Sequence, residues 1–393
     1  MTMRILMTAT LLAVGIVSGS SQATEALASP QRNEPLYSLQ QPTLPTQTTL
    51  ASVQIAQNGQ LTAEEERLNE LLREGQDRVE SGDYVGAISY YRQAAQFDRE
   101  NPRIYSGIGY LQIQLGDFRS AAESYRQAIA LDPRNTAFRY GLAHSLVSGQ
   151  SYQDAEATYR ELIRMAPNET DAYLGLGGVL FLEENYDAAL ETYLQLLRIS
   201  PRNASAYESI GKIQLSQENY SEAIEALLRA RDLAPDRGGV YVSLANAWLQ
   251  QGDVDEAFVE LNQAVQLDPQ NSEAHFRLAE ILSDRGAEDA ALFHYRQAVE
   301  WNPDLVPAQA ALGSMLLERQ QYLQAVLSYR RLVRMLPENA GAHYNLGLAL
   351  WGKGLEREAI TYVKLAQNLY RRQEDQEGFE RAGALLQIWG VED

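Results

Sequence analysis

The sequence predicts an all-α solenoid of stacked antiparallel helix pairs, and three observations carry that prediction. From 68 to 373 the chain repeats every 34 residues, nine times over, with no insertion or deletion. The eighth residue of each unit is always small (Gly75, Gly109, Ala143, Gly177, Gly211, Ala245, Ala279, Gly313, Gly347), and the twentieth is always alanine, from Ala87 to Ala359. Proline stands at position thirty-two of every unit but the first and last, from Pro133 to Pro337. A fixed period of this length marks a supersecondary element that buries its apolar face only against copies of itself.

The segments ahead of the repeats differ in kind. Arg4 precedes an uncharged run over 5–17, and small residues follow, with Ser21-Gln22-Ala23 and Ala26-Leu27-Ala28 as cleavage sequences. This is the layout of a secretory signal peptide over 1–28, cut after Ala23 or Ala28. The apolar run is about 13 residues, short of the roughly 20 needed to span a bilayer. The chain contains no cysteine, hence neither a lipid-attachment site nor a disulfide framework. An exported, periplasmic, soluble protein is the expectation. Residues 29–60 place Pro30, Pro35, Pro42 and Pro45 among Gln, Thr and Ser without a sustained period, the composition of a flexible linker. Thr62 with Glu65 forms a capping box that opens the first helix.

The repeat domain occupies 61–373, in units 68–101, 102–135, 136–169, 170–203, 204–237, 238–271, 272–305, 306–339 and 340–373. In the first helix of a unit, positions four, seven, eight and eleven form one apolar face, as in Tyr173, Leu176, Gly177 and Leu180. A short turn follows, clearest as Gly82-Asp83-Tyr84. Proline then stops the second helix, because it lacks an amide hydrogen and its ring clashes with a continuing turn. The small residues at eight and twenty let the two backbones approach. In 374–393, Phe379, Ala382, Leu386 and Trp389 recur at helical spacing, which predicts a capping helix over the ninth unit with its acidic residues outward.

Period, small eighth and twentieth residues, aromatics near seventeen and twenty-four and the closing Asp-Pro or Ala-Pro together resemble the tetratricopeptide repeat. That resemblance implies a right-handed superhelix whose inner groove, lined by the first helices, holds peptides. Composition fits. With a net charge of −19, a pI near 4.7 and only three lysines (Lys212, Lys353, Lys364), nucleic acid is a poor partner. Basic peptides or cations are the electrostatically favoured ones, and membrane contact is expected only through a client. No HExxH or Walker-type loop accompanies His144, His275, His294 and His343, so the reading is non-enzymatic. His275 and His343 fall at the buried fourth position and are expected to be packed and hydrogen-bonded.

Positions two, five, nine and twelve lie opposite the buried stripe and are expected to face the groove. In units two to four they include Tyr110, Ile113, Tyr140, His144, Val147, Leu174 and Phe181, beside Gly107, Gly141, Gly175 and Gly178, glycines read as leaving room for a ligand. Phe276 and Arg277 join this candidate set in unit seven. Units five to eight carry an acidic lining, and Glu273, Glu280, Asp284 and Glu318 are weak candidates for a hard cation such as Mn2+ or Ca2+. Tetratricopeptide domains that clamp a chaperone's terminal carboxylate use a basic fifth position; the fifth positions here, from Leu72 to Tyr344, include no basic residue. Leader, linker and nine units together resemble the processing-associated periplasmic tetratricopeptide proteins of cyanobacteria. That resemblance implies photosystem II assembly, with the C-terminal region of the D1 precursor as client and manganese supply as a second role. A generic adaptor for envelope or secretion complexes, without metal, is the alternative.

Overall fold

The computed structural model describes residues 62–391; the expected signal peptide and linker lie outside the described residues. The described residues are all-helical, contain no strand, and form two compact parts divided between Ala234 and Pro235. The first part holds five helix pairs: α1 (Ala63–Glu80) with α2 (Tyr84–Phe97), α3 (Pro102–Gln114) with α4 (Phe118–Leu131), α5 (Thr136–Ser148) with α6 (Tyr152–Met165), α7 (Thr170–Leu182) with α8 (Tyr186–Ile199), and α9 (Ala204–Ser216) with α10 (Tyr220–Leu233). The second holds α11 (Gly238–Gln251) with α12 (Val254–Leu267), α13 (Ser272–Asp284) with α14 (Glu288–Trp301), α15 (Val306–Glu318) with α16 (Tyr322–Met335), and α17 (Ala340–Gly352) with α18 (Glu356–Arg372). A final α19 (Gln376–Ile388) follows.

Local chemistry sets the helix ends. The capping box is formed: the Glu65 amide donates to Thr62 Oγ1 at 3.2 Å, and the Thr62 amide donates to Glu65 at 2.7 Å. Asn101, Asn135, Asn203, Asn271 and Asn339, all at position thirty-four, cap the next first helix through their side chains. At position fifteen the backbone is left-handed in all nine units. Gly82, Gly116, Gly252, Gly286 and Gly354 accept this without cost, whereas Gln150, Glu184, Glu218 and Gln320 adopt φ of 58–61°. That turn lets the Asp117 amide reach back to the Gln112 carbonyl and the Gly116 amide to the Ile113 carbonyl, both at 2.9 Å, closing the helix in a Schellman motif.

Packing explains the small residues and corrects one expectation. The position-twenty-four tyrosine of one unit lies against the glycine at position eight of its own unit and the residue at position six of the next. A Cβ on Gly109 would stand 2.8 Å from the Tyr125 ring, and one on Gly141 would overlap that ring. Tyr159 fills the notch at Gly175, and Tyr193 that at Gly177, where a Cβ would stand 2.5 Å from the ring. Gly141 and Gly175 therefore receive core tyrosines and leave no space for a ligand.

Position four, read as apolar apart from the hydrogen-bonded His275 and His343, supplies a recurring donor, and both histidines are buried and bonded as expected. Tyr173, Tyr241, Gln309 and His343 donate to the carbonyls of Pro167, Pro235, Pro303 and Pro337 at 3.1, 2.8, 2.9 and 2.9 Å. Arg139 does the same to Pro133, and Tyr105 to Arg99, which holds the proline position in the first unit. The proline follows the helix C-cap, and the next first helix satisfies its carbonyl, which has no place in the helix ladder. In the second part α19 packs on α18, burying Ala382, Leu385 and Leu386, while Trp389 stacks on Trp351 with ring centroids 4.0 Å apart. Arg381 lies over Tyr344 at 5.6 Å.

Candidate protein-binding face

Tyr110 and Ile113 come from α3, Tyr140, His144 and Val147 from α5, and Leu174 and Phe181 from α7. All seven are half-buried. The backbones of α3 and α5 come within 8 Å of each other. Tyr140 meets Tyr159 edge to face at 6.5 Å, and Phe181 packs against Tyr186 at 5.4 Å. On α3, α5 and α7, positions two, five, nine and twelve carry two formal charges of opposite sign, Arg103 and Asp171. The Tyr140 hydroxyl and His144 Nδ1 are enclosed and have no hydrogen-bond partner. Burial, reinforced by Glu169 and Asp171, raises the Tyr140 pKa, so the phenol stays a donor. Burial lowers that of His144, which leaves a neutral imidazole at pH 7.

The corresponding face of α13 is built differently. Phe276 is 2% exposed, with its ring 6.1 Å from that of Tyr295 and the Arg277 guanidinium 5.6 Å above it. It is a core residue, because the fifth position here turns into the helix pair and not toward an open lining. Arg277 donates through Nε to Glu273 at 2.9 Å and through Nη1 to Glu280 at 3.1 Å. Burial raises the Glu280 pKa, opposed by Arg277 and assisted by Glu273 and Asp284. Burial lowers that of Arg277, but the two carboxylates outweigh it and the net shift is upward.

The expected oxygen-ligand set of Glu273, Glu280, Asp284 and Glu318 does not assemble. Arg277 stands between the first two, Asp284 is exposed, and Glu318 on α15 accepts from Ser314 at 3.4 Å. No group of three or more His, Asp or Glu among the described residues could hold a metal ion. The sequence reading assigned Arg277 a place in a groove; its position six sets it between carboxylates one turn to either side, a pairing visible as Glu-x-x-x-Arg-x-x-Glu.

A histidine pair went unnoticed in the sequence. His275 and His294 approach Nδ1 to Nδ1 at 2.8 Å, and His275 Nε2 lies 3.1 Å from the Pro269 carbonyl. A carbonyl only accepts, so His275 carries its proton on Nε2, its Nδ1 accepts, and His294 donates from Nδ1. Phe293 closes over His294 at 5.1 Å. Spacing of nineteen residues hid the pair, since the contact crosses from α13 to α14.

No helix among the described residues is long and apolar enough to cross a membrane. Family models described as tetratricopeptide repeat match residues 106–170, 140–204 and 209–272, then 249–315 and 340–373, and a further TPR repeat model matches 75–116 and 313–354. No curated protein matches the chain. Among solved structures, a tetratricopeptide repeat protein from Parabacteroides merdae ATCC 43184 is 16% identical, with a TM-score of 0.52 over 64% of this chain and 99% of its own. YrrB, a TPR protein described as having an unusual peptide-binding site, is 22% identical, with a TM-score of 0.38 over 48% of this chain and 98% of its own. MamA from Desulfovibrio magneticus RS-1 is 20% identical, with a TM-score of 0.39 over 43% of this chain and 96% of its own. At 16% identity the likeness to the Parabacteroides merdae protein is one of fold. With repeat models covering most of 75–373, and the helix pairs, caps and tyrosine notches described above, the chain belongs to the tetratricopeptide repeat family.

Proposed function

We propose that this protein is a non-enzymatic scaffold that holds a segment of a client protein against the first-helix face of units two to four. One observation carries the reading. Seven half-buried side chains on three consecutive first helices, all apolar or aromatic, line a stretch whose two formal charges, Arg103 and Asp171, cancel in a chain of net charge −19. Such a lining gains by covering apolar surface, and little else in its chemistry offers a reason for it. A photo-crosslinking residue at position 110 or 174 is expected to capture a discrete partner, and the same residue at the outward-facing Glu123 is not. Equal capture from both faces would overturn the assignment.

Finer readings rest on narrower support. Export is supported by Arg4, the uncharged run over 5–17 and the small residues up to Ala28. Fusion of the first 30 or so residues to a reporter active only outside the cytoplasm tests it. A role in photosystem II assembly, with the D1 precursor as client, is supported only by the order of leader, linker and repeats. Its client must compete for the same face, so a peptide of the D1 C-terminal region titrated against wild type and Tyr140→Ala distinguishes it from a generic envelope adaptor. Manganese supply has weaker support still, because Arg277 engages Glu273 and Glu280.

A further inference from the structure

The second helices of units six to eight carry an apolar row that the other units lack. Position twenty-two is Ser89, Glu123, Ala157, Glu191 and Glu225 in the first five units and Thr361 in the ninth. Between them it is Val259 on α12, Phe293 on α14 and Leu327 on α16, which are 65%, 55% and 62% exposed, with Leu323 one turn before Leu327 at 56%. Single exposed apolar side chains are ordinary, but one register filled in three consecutive units marks an interaction surface. Arg296 ties α14 to the start of α16 through Gln321 and Gln324 at 3.0 and 3.1 Å, and Arg285, just before α14, engages Asp255 on α12.

Charge along this row is ordered. On a helix, residues three and four positions before and after a side chain are its surface neighbours. Around Val259 the charged ones are Asp255 and Glu256, both negative; around Phe293, Asp289 and Arg296, which cancel; around Leu327, Arg330 and Arg331, both positive. The charge therefore changes sign about Phe293. A surface antisymmetric about one point is complementary to its own copy rotated by two-fold symmetry about that point. An isologous interface requires such self-complementarity, and a different partner does not.

We infer that a second copy of this chain docks on the outer face of α12, α14 and α16, with the two-fold axis at Phe293. The two Phe293 rings then meet on the axis, and α12 of each copy faces α16 of the other. Val259 covers Leu323 and Leu327 across the interface, while Asp255 and Glu256 meet Arg330 and Arg331. Within the chain Asp255 pairs with Arg285, Arg330 with Glu358 and Arg331 with Asp304, but these are surface pairs that contribute little. The Asp255 side chain stays 90% exposed and retains room for a second partner. A bilayer fits less well, because an anionic surface that attracts Arg330 and Arg331 repels Asp255 and Glu256. This surface belongs to the second helices and is independent of the first-helix binding face.

The test is sedimentation equilibrium of the full chain from about 1 to 100 μM. The mass is expected to rise to twice that of one chain. Phe293→Asp sets like charges on the axis and is expected to raise the dissociation constant about tenfold or more. Asp255→Arg with Glu256→Arg, and separately Arg330→Glu with Arg331→Glu, are each expected to sediment as single chains and to recover the double mass when mixed, since each then meets opposite charge. Thermal melting by circular dichroism verifies that each variant is folded. The chain contains no cysteine, so Phe293→Cys introduces one thiol, which mild oxidation is expected to couple into a covalent dimer, while Glu123→Cys in the same register stays single. That coupling decides the matter where a charge variant does not fold. A single-chain mass at every concentration would overturn the inference, as would a dimer that Phe293→Asp leaves intact. A dimer that Phe293→Asp breaks and the mixed variants fail to restore would overturn the two-fold arrangement. Single-chain mass with Phe293-dependent pelleting on phosphatidylserine–phosphatidylcholine vesicles would assign the row to a membrane instead.

Discussion

The first-helix faces of α5 and α13 occupy the same register of the repeat and have opposite fates. On α5, Tyr140, His144 and Val147 form a neutral, half-buried lining in which the Tyr140 hydroxyl and His144 Nδ1 lack partners. On α13, Phe276 is sunk into the core, and Glu273, Arg277 and Glu280 satisfy one another. A position that faces outward by period is thus not by that fact available. What decides is whether the chain itself consumes the side chain's bonding capacity, and α13 consumes it where α5 does not.

The largest expected effect removes the packing on which the α5 face depends. Gly141 accepts the Tyr125 ring, so Gly141→Leu is expected to cost about 1–3 kcal/mol or more in urea unfolding. Tyr125→Leu, imitating Leu227 at the equivalent position, should restore part of it in a double-mutant cycle. Additive losses would show that the glycine serves the ligand face after all.

Arg277 tests the other side of the comparison. Arg277→Gln leaves Glu273 and Glu280 facing each other without their shared cation, and the expected loss is about 1–2 kcal/mol, moderated because the three side chains are partly solvated. Calorimetry with Mn2+ is expected to detect no discrete site in the wild type and weak, salt-sensitive uptake in the variant. A stoichiometric wild-type site would restore the metal reading that the geometry opposes.

Much of this contrast was legible in the sequence, and the remainder has a physical reason for being hidden. The 34-residue beat, the alanine at twenty and the proline at thirty-two announced the helix pairs, because local sterics at those positions repeat. Phe379, Ala382, Leu386 and Trp389 announced α19 by spacing alone. Gly141 and Gly175 misled, since a glycine reads alike whether it faces a ligand or a tyrosine from the preceding unit. At position four the hydrogen-bonded His275 and His343 were legible, while Tyr173, Tyr241 and Gln309 were not, because their acceptor is a backbone carbonyl, which no side-chain pattern advertises. The His275–His294 contact and the Trp351–Trp389 stack join different helices, so periodicity within one helix carries no trace of them.

That histidine pair gives the second part a pH dependence of the same sign as the one burial gives His144 in the first part. Burial lowers both pKa values, that of His294 to about 4, with His275 further disfavouring charge on His294; the Pro269 carbonyl and Asp268 act in the opposite sense on His275. Folded values below the unfolded value of about 6.5 mean that the unfolded chain binds more protons. The stabilisation is therefore complete above pH 6.5 and is lost as pH falls toward 4. Each proton so excluded is worth at most about 1.4 kcal/mol per pH unit, and less here because His294 is only half-buried. His294→Phe should flatten the profile between pH 6.5 and 4, and an unchanged slope would assign it to carboxylates elsewhere.

The smallest effect lies in the turns, and it separates units by a single backbone angle. Position fifteen is left-handed throughout, but units three, four, five and eight fill it with Gln150, Glu184, Glu218 and Gln320. A side chain at φ near +58° crowds its own carbonyl and costs roughly 1–2 kcal/mol, while glycine returns part of this through its larger unfolded-state entropy. Gln150→Gly should then stabilise by about 0.5–1 kcal/mol, and Gly116→Gln should lose a similar amount. Both substitutions are at exposed turns, so neither alters packing, and the two melts report the backbone alone. Because Gln150 closes α5 and Gly116 closes α3, the gain should tighten the frame of the binding face without touching its lining. Peptide affinity that rises with Gln150→Gly would mean that the face is limited by the order of its helices; affinity that stays fixed while stability rises would place the whole of recognition in Tyr140, Val147 and their neighbours.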